Sequence, residues 1–134
     1  MNRARIEREL ARLIAGGQAV ELIEGGSRPL ILYRTLPTSG APLNLPDATD
    51  VVVPVPEGYP ASMIDLAGLP VGSPLLARVK GGQNNQGIVR VADRDFQLAS
   101  YHPHNGGGGP PWDQARHGFH TYIDHVLAWL DRLS

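Results

Sequence analysis

The chain reads as a single α+β domain, with a helix at each end and an antiparallel sheet between them. Three observations predict this. Residues 3–15 and the stretch ending at Leu133 carry apolar side chains at helical spacing. Short apolar runs, each closed by Gly or Pro, fill the interval. Those runs do not alternate with helical stretches, which excludes a parallel βαβ sheet.

The first helix is expected over residues 3–15, with Ile6, Leu10, Leu13 and Ile14 along one face and Asn2 as its N-cap. Gly16-Gly17 ends it. Residues 18–24 and 30–36 form a hairpin about Gly25-Gly26. A polar loop over residues 37–50 leads to a third strand at 51–55, where Pro54 lacks the donor that an interior ladder position needs. Pro56, Glu57, Gly58, Tyr59 and Pro60 make a rigid turn that buries an aromatic ring and leaves its hydroxyl a polar handle. Residues 75–80 and 87–92 are expected to form a second hairpin, and residues 96–101 a last strand. The C-terminal helix starts at about Gln114 or Gly118 and runs to Leu133, with Asp113 as N-cap and Phe119, Tyr122, Ile123, Val126, Trp129, Leu130 and Leu133 facing the core. About four strands are expected in the sheet.

Length and composition bound the function. A chain of 134 residues, 42% hydrophobic and 19% charged, suits one core over residues 1–134. A net charge of −1 argues against nucleic acid or an anionic membrane held by bulk electrostatics. Eleven of the twelve basic residues are Arg, and Lys80 is the one Lys. The opening MNRARIEREL is charged and helical in pattern, unlike a signal peptide, and no apolar run reaches membrane-spanning length. A cytoplasmic protein is expected. There is no Cys. That removes disulfides, zinc–thiolate sites and thiol nucleophiles from this chain.

The chemically richest stretch is residues 101–112, YHPHNGGGGPPW. Four consecutive glycines and two prolines make it an irregular loop between the last strand and the last helix. No Gly-Lys-Ser/Thr follows the glycines, so it is not a phosphate-binding P-loop. Ser100 precedes Tyr101-His102, but the G-x-S-x-G pattern of a hydrolase nucleophile is absent. All five His lie between His102 and His125. His102, His104, His117 and His120 could ligate a metal and support hydrolysis, although no H-E-x-x-H signature is present. A structural subunit of a larger assembly is a further alternative.

The order of features resembles the ubiquitin-conjugating enzyme (UBC-like) superfamily, and within it the bacterial members found beside ubiquitin-like proteins and their activating enzymes. Tyr59-Pro60, with Asp65 downstream, resembles the family's Tyr-Pro turn after the third strand. His102-Pro103 with Asn105 resembles its His-Pro-Asn motif, here with His104 intervening. Phe96, Trp112 and residues 119–133 resemble the family's tail. Residues 66–94 are extra relative to that pattern.

The resemblance implies that Tyr101, His102, Pro103, His104, Asn105 and Trp112 belong to an active-site-like loop. His102 would pack beneath it, and the Asn105 amide would hold its backbone. The family's catalytic Cys would fall within residues 106–113, which contain no Cys, Ser or Thr. The resemblance therefore implies a variant that binds rather than reacts, with no cofactor and no metal. Its partners would be a ubiquitin-like protein, an activating enzyme or an active conjugating enzyme. Contacts would be made by the N-terminal helix, where Arg5, Arg8, Glu9 and Arg12 are expected to face solvent.

Overall fold

A computed structural model describes residues 2–26, 28–38, 45–79, 86–91, 93–100 and 110–133. Helix α1 spans Arg3–Ala15. Its N-cap is Asn2, whose side chain accepts the Arg5 N–H at 3.1 Å. Gly16 and Gly17 end it, and Gly17 takes a φ of 96° that a side chain would disfavour. Ile6 and Leu10 are buried as the spacing predicts, whereas Ile14 is exposed.

Strands β1 (Val20–Ile23) and β2 (Leu30–Pro37) form the expected hairpin. Strand β3 (Ala48–Pro54) pairs antiparallel with β2 across a bulge between Tyr33 and Leu36. Within the bulge Thr35 has a φ of 55°, and its N–H is held by Asp50 Oδ1 at 2.8 Å. Strand β3 starts three residues before the expected 51–55 and ends at Pro54, so Ala48, Thr49 and Asp50 belong to it rather than to the preceding loop.

The sheet departs from expectation after the Tyr-Pro turn. It has six strands, not about four, in the order β1-β2-β3-β4-β6-β5, and it is curled. Residues 66–94 are not an addition to the sheet but part of it. They supply β4 (Leu66–Pro70) and β5 (Ile88–Val91), and β6 (Arg94–Ser100) begins at their end. Strand β4 hides in the sequence because LAGLP holds a Gly and a Pro, both poor strand formers. The Gly is required. A Cβ on Gly68 would stand 2.7 Å from Val52 Cγ2 and 2.9 Å from Leu98 Cδ2.

The expected strand at residues 75–80 is a 3₁₀ helix over Pro74–Arg78. Ser73 caps it by accepting the Leu75 N–H at 3.2 Å, and Pro74 occupies its first turn. Ser followed by Pro is a helix-start signal that outweighs a short apolar run.

Helix α2 spans Phe119–Leu133. Asp113 does not cap it. Its carboxylate accepts the Ala115 N–H at 3.0 Å and its carbonyl accepts the His117 N–H at 2.8 Å, so it caps a separate turn just before the helix.

The core has two parts. On one face of the sheet, Ile31, Tyr33, Val51, Val53, Ala67 and Leu69 pack with Ile6 and Leu10 of α1 and with the apolar stripe of α2. On the other, Leu30, Leu32, Val52, Val91, Phe96 and Leu98 form a second buried cluster. Its partly buried neighbours, Ile23, Leu66 and Val89, also come from the strands or their ends. No described helix is long and apolar enough to cross a membrane.

Candidate functional site

The centre of the helix-bearing face is a carboxylate. Glu9 lies on the stripe of α1 that carries Ile6 and Leu10, and it is 5% exposed. Its Oε1 accepts the Tyr59 hydroxyl at 2.6 Å and the Phe119 N–H at 3.0 Å. Its Oε2 accepts Arg5 Nε at 2.7 Å. Arg5 also donates to the His117 carbonyl at 2.7 Å and lies 5.6 Å over the Tyr59 ring. A buried charge is tolerable only when paired and hydrogen-bonded, and here three donors meet it.

The expectation that Glu9 faces solvent is therefore overturned, and Arg5 is half-buried beside it. The carboxylate serves as a cap supplied from another helix, at the positive N-terminus of α2. Gly118 makes the approach possible: a Cβ there would sit 2.5 Å from the Glu9 carboxylate. Burial, then the hydrogen bond to Glu9, holds the Tyr59 phenol well above its ordinary pKa. Tyr59 is thus a fixed donor.

Tyr33 ties the sheet to the same place. It is fully buried, its phenol is pushed well up by burial, and it donates to the Phe119 carbonyl at 2.7 Å.

The Tyr-Pro turn meets the C-terminal end of the glycine loop here. The Tyr59-Pro60 bond is cis and the Tyr59 ring is buried. Trp112 Nε1 donates to the Pro60 carbonyl at 2.9 Å. Its ring lies 6.2 Å from Tyr59 and 5.6 Å from His117. So Tyr59, Pro60, Trp112, Arg5 and Glu9 come together. Tyr101, His102, Pro103, His104 and Asn105 lie outside the described residues. Asp65 is half-buried and lines a different cleft of about 630 Å³ with Arg28, Glu57 and Ser62.

Arg8 and Arg12 are exposed, as expected. They line a third feature, an open cleft of about 530 Å³ between α1 and the start of α2, with Arg116, His120 and Thr121. Burial lowers the His120 pKa; Arg12, Arg5 and His117 lower it further, and Glu9 opposes them. His117 Nδ1 accepts the Asp113 N–H at 2.9 Å. No group of three or more metal-binding side chains occurs among the described residues.

Chemically, this arrangement holds and positions. Both carboxylate oxygens of Glu9 are taken up by internal donors, and the residue is 5% exposed. The sequence marks Tyr59, Pro60 and Trp112 but not the role of Glu9, Gly118 or Tyr33. One signal was present: a carboxylate within the apolar stripe of α1, and a glycine directly before the first apolar residue of α2.

Comparison with known protein families, with curated proteins and with solved structures gave no match.

Proposed function

We propose that this chain is a UBC-like domain without a catalytic cysteine, acting as a binding component of a bacterial ubiquitin-like protein modification system in the cytoplasm. The observation that carries the reading is the junction of the Tyr-Pro turn with Trp112. A turn that leaves the third strand and a tryptophan that closes the glycine loop are joined by a direct hydrogen bond. Support also comes from the order of elements: a first helix, an antiparallel meander, then a strand running into His102-Pro103-His104-Asn105 and a closing helix.

A thioester requires a thiolate on the carrier, and this chain has no Cys. Its contribution is therefore recognition. The outer face of α1, through Arg8 and Arg12, and the loop ending at Trp112 are the contact surfaces. The partner is a ubiquitin-like protein, an activating enzyme or an active conjugating enzyme.

The reading is tested by calorimetric titration of the purified protein with the ubiquitin-like protein and activating enzyme encoded beside it. A saturable complex with either supports it. Heats indistinguishable from dilution for both, at protein concentrations near 100 μM, would remove it.

A further inference from the structure

The cleft between α1 and the turn preceding α2 is strongly basic. Its walls carry the guanidiniums of Arg5, Arg8, Arg12 and Arg116 against the single carboxylate of Glu9. That is a local charge of +3 in a chain whose net charge is −1. Glu9 is already satisfied from inside the protein by Arg5, Tyr59 and the Phe119 N–H. The Arg8 and Arg12 guanidiniums enter no hydrogen bond or ion pair among the described residues, and Arg116 only pairs with Asp113 at 3.8 Å. The Arg8 and Arg12 guanidiniums thus stand unmatched on the α1 wall, and Arg116 on the other wall holds only a long, exposed pair with Asp113. Like charges gathered this way repel one another, and the field they focus attracts an anion.

We infer that this cleft docks an acidic polypeptide segment of a partner protein. The residues outside the described set contain no Asp or Glu, so they offer no side-chain carboxylate to fill it. The cleft is open rather than closed around a small ion, and four of its lining residues, Arg5, Arg8, Glu9 and Arg12, follow one another along α1. Arg8 and Arg12 are one turn apart, about 6 Å along the helix axis. Carboxylates two residues apart on one side of an extended segment are separated by about 7 Å. Such a segment matches both arginines while Arg116 meets it from the opposite wall, and guanidinium forks take carboxylates in paired hydrogen bonds. His120 and Thr121, half-buried on the floor, limit how deeply the segment descends. The inference deepens the reading of α1 as a partner surface and rests on it for the partner's being a protein.

The test uses the whole chain and a fluorescent Glu-Gly repeat peptide, with a Gln-Gly repeat as control, followed by anisotropy at low and physiological salt. The acidic peptide should bind saturably, lose affinity with salt, and bind at least tenfold more weakly to Arg8→Glu/Arg12→Glu. The Arg28→Glu/Arg132→Glu pair, an equal charge change elsewhere, should stay within about twofold of the parent. Should the reversed pair fold poorly, Arg8→Gln/Arg12→Gln should still lose about threefold. Equal losses from both charge reversals, or no saturable binding, would overturn the proposal. So would tripolyphosphate binding more tightly than the peptide, which would make the cleft a phosphate site.

The native complex separates the two ideas. If the ubiquitin-like protein or activating enzyme binds and Arg8→Glu/Arg12→Glu leaves its Kd unchanged, the cleft proposal falls and the functional reading stands. If neither protein binds but the acidic peptide does so through Arg8 and Arg12, the reading falls and the cleft proposal stands.

Discussion

Glu9 shows how one side chain can organise three segments far apart in sequence. Removing it in Glu9→Ala would leave the Arg5 guanidinium half-buried and would orphan the Tyr59 hydroxyl and the Phe119 N–H. Breaking such a group costs about 3 kcal/mol, discounted from the upper range because Arg5 keeps some water. Gly118→Ala attacks the same place sterically, at about 1–3 kcal/mol. The two changes should not add. With the carboxylate gone, the methyl group of the alanine has room, so urea denaturation of the double variant should show a loss clearly below the sum.

His120, at the edge of this network, gives a pH signature. Its folded pKa lies below the unfolded value, chiefly through burial. Below about pH 6.5 the unfolded chain takes up the proton first. Stability is therefore fully present above that pH and is lost as pH falls toward the folded pKa. His120→Gln should lessen the drop in urea midpoint between pH 7.5 and 5.5.

Among the elements, those written as long periodic patterns were legible and those defined by close packing were not. Both helices, the first hairpin and the strand ending at Pro54 follow from apolar spacing and Gly/Pro punctuation. Strand β4 did not, because its residues are chosen by contact with neighbours. Gly68 lies between Val52 and Leu98 where any side chain intrudes. Gly68→Ala should accordingly destabilise by about 1–3 kcal/mol, readable as a lower urea midpoint with an unchanged slope. The 3₁₀ helix at residues 74–78 carries a short apolar run that resembles a strand, and only its Ser-Pro start marks it as helical.

The join between turn and loop is also an element-level matter. Trp112→Phe keeps most of the ring but loses the donor to the Pro60 carbonyl. It should cost about 1 kcal/mol. It should also raise exchange at the turn amides, such as those of Tyr59 and Ala61, without changing the secondary structure seen by circular dichroism.

At the scale of the whole molecule, the described residues form a curled six-stranded sheet with apolar side chains buried on both faces, and the two described α-helices pack with the first of these clusters. The sequence shows an α+β chain with apolar residues enough for this, but the second cluster depends on which strands lie side by side, which no local pattern encodes. The candidate site was legible to the extent that Tyr59, Pro60, Trp112 and the arginines of α1 were singled out by residue type. It was hidden where a charged residue serves inside the core, since the place of Glu9 within the apolar stripe of α1 is easily lost in an Arg/Glu-rich helix.

Binding without covalent chemistry is the central claim, and one measurement bears on it directly. The protein is incubated with a bacterial ubiquitin-like protein, the activating enzyme of that protein and ATP, then divided between size-exclusion chromatography and intact mass spectrometry without reductant. The expected result is co-elution of this chain with at least one of the two proteins, and an unchanged mass for the chain itself. An ATP-dependent mass increase equal to the ubiquitin-like protein, or the absence of any co-elution, would contradict the account.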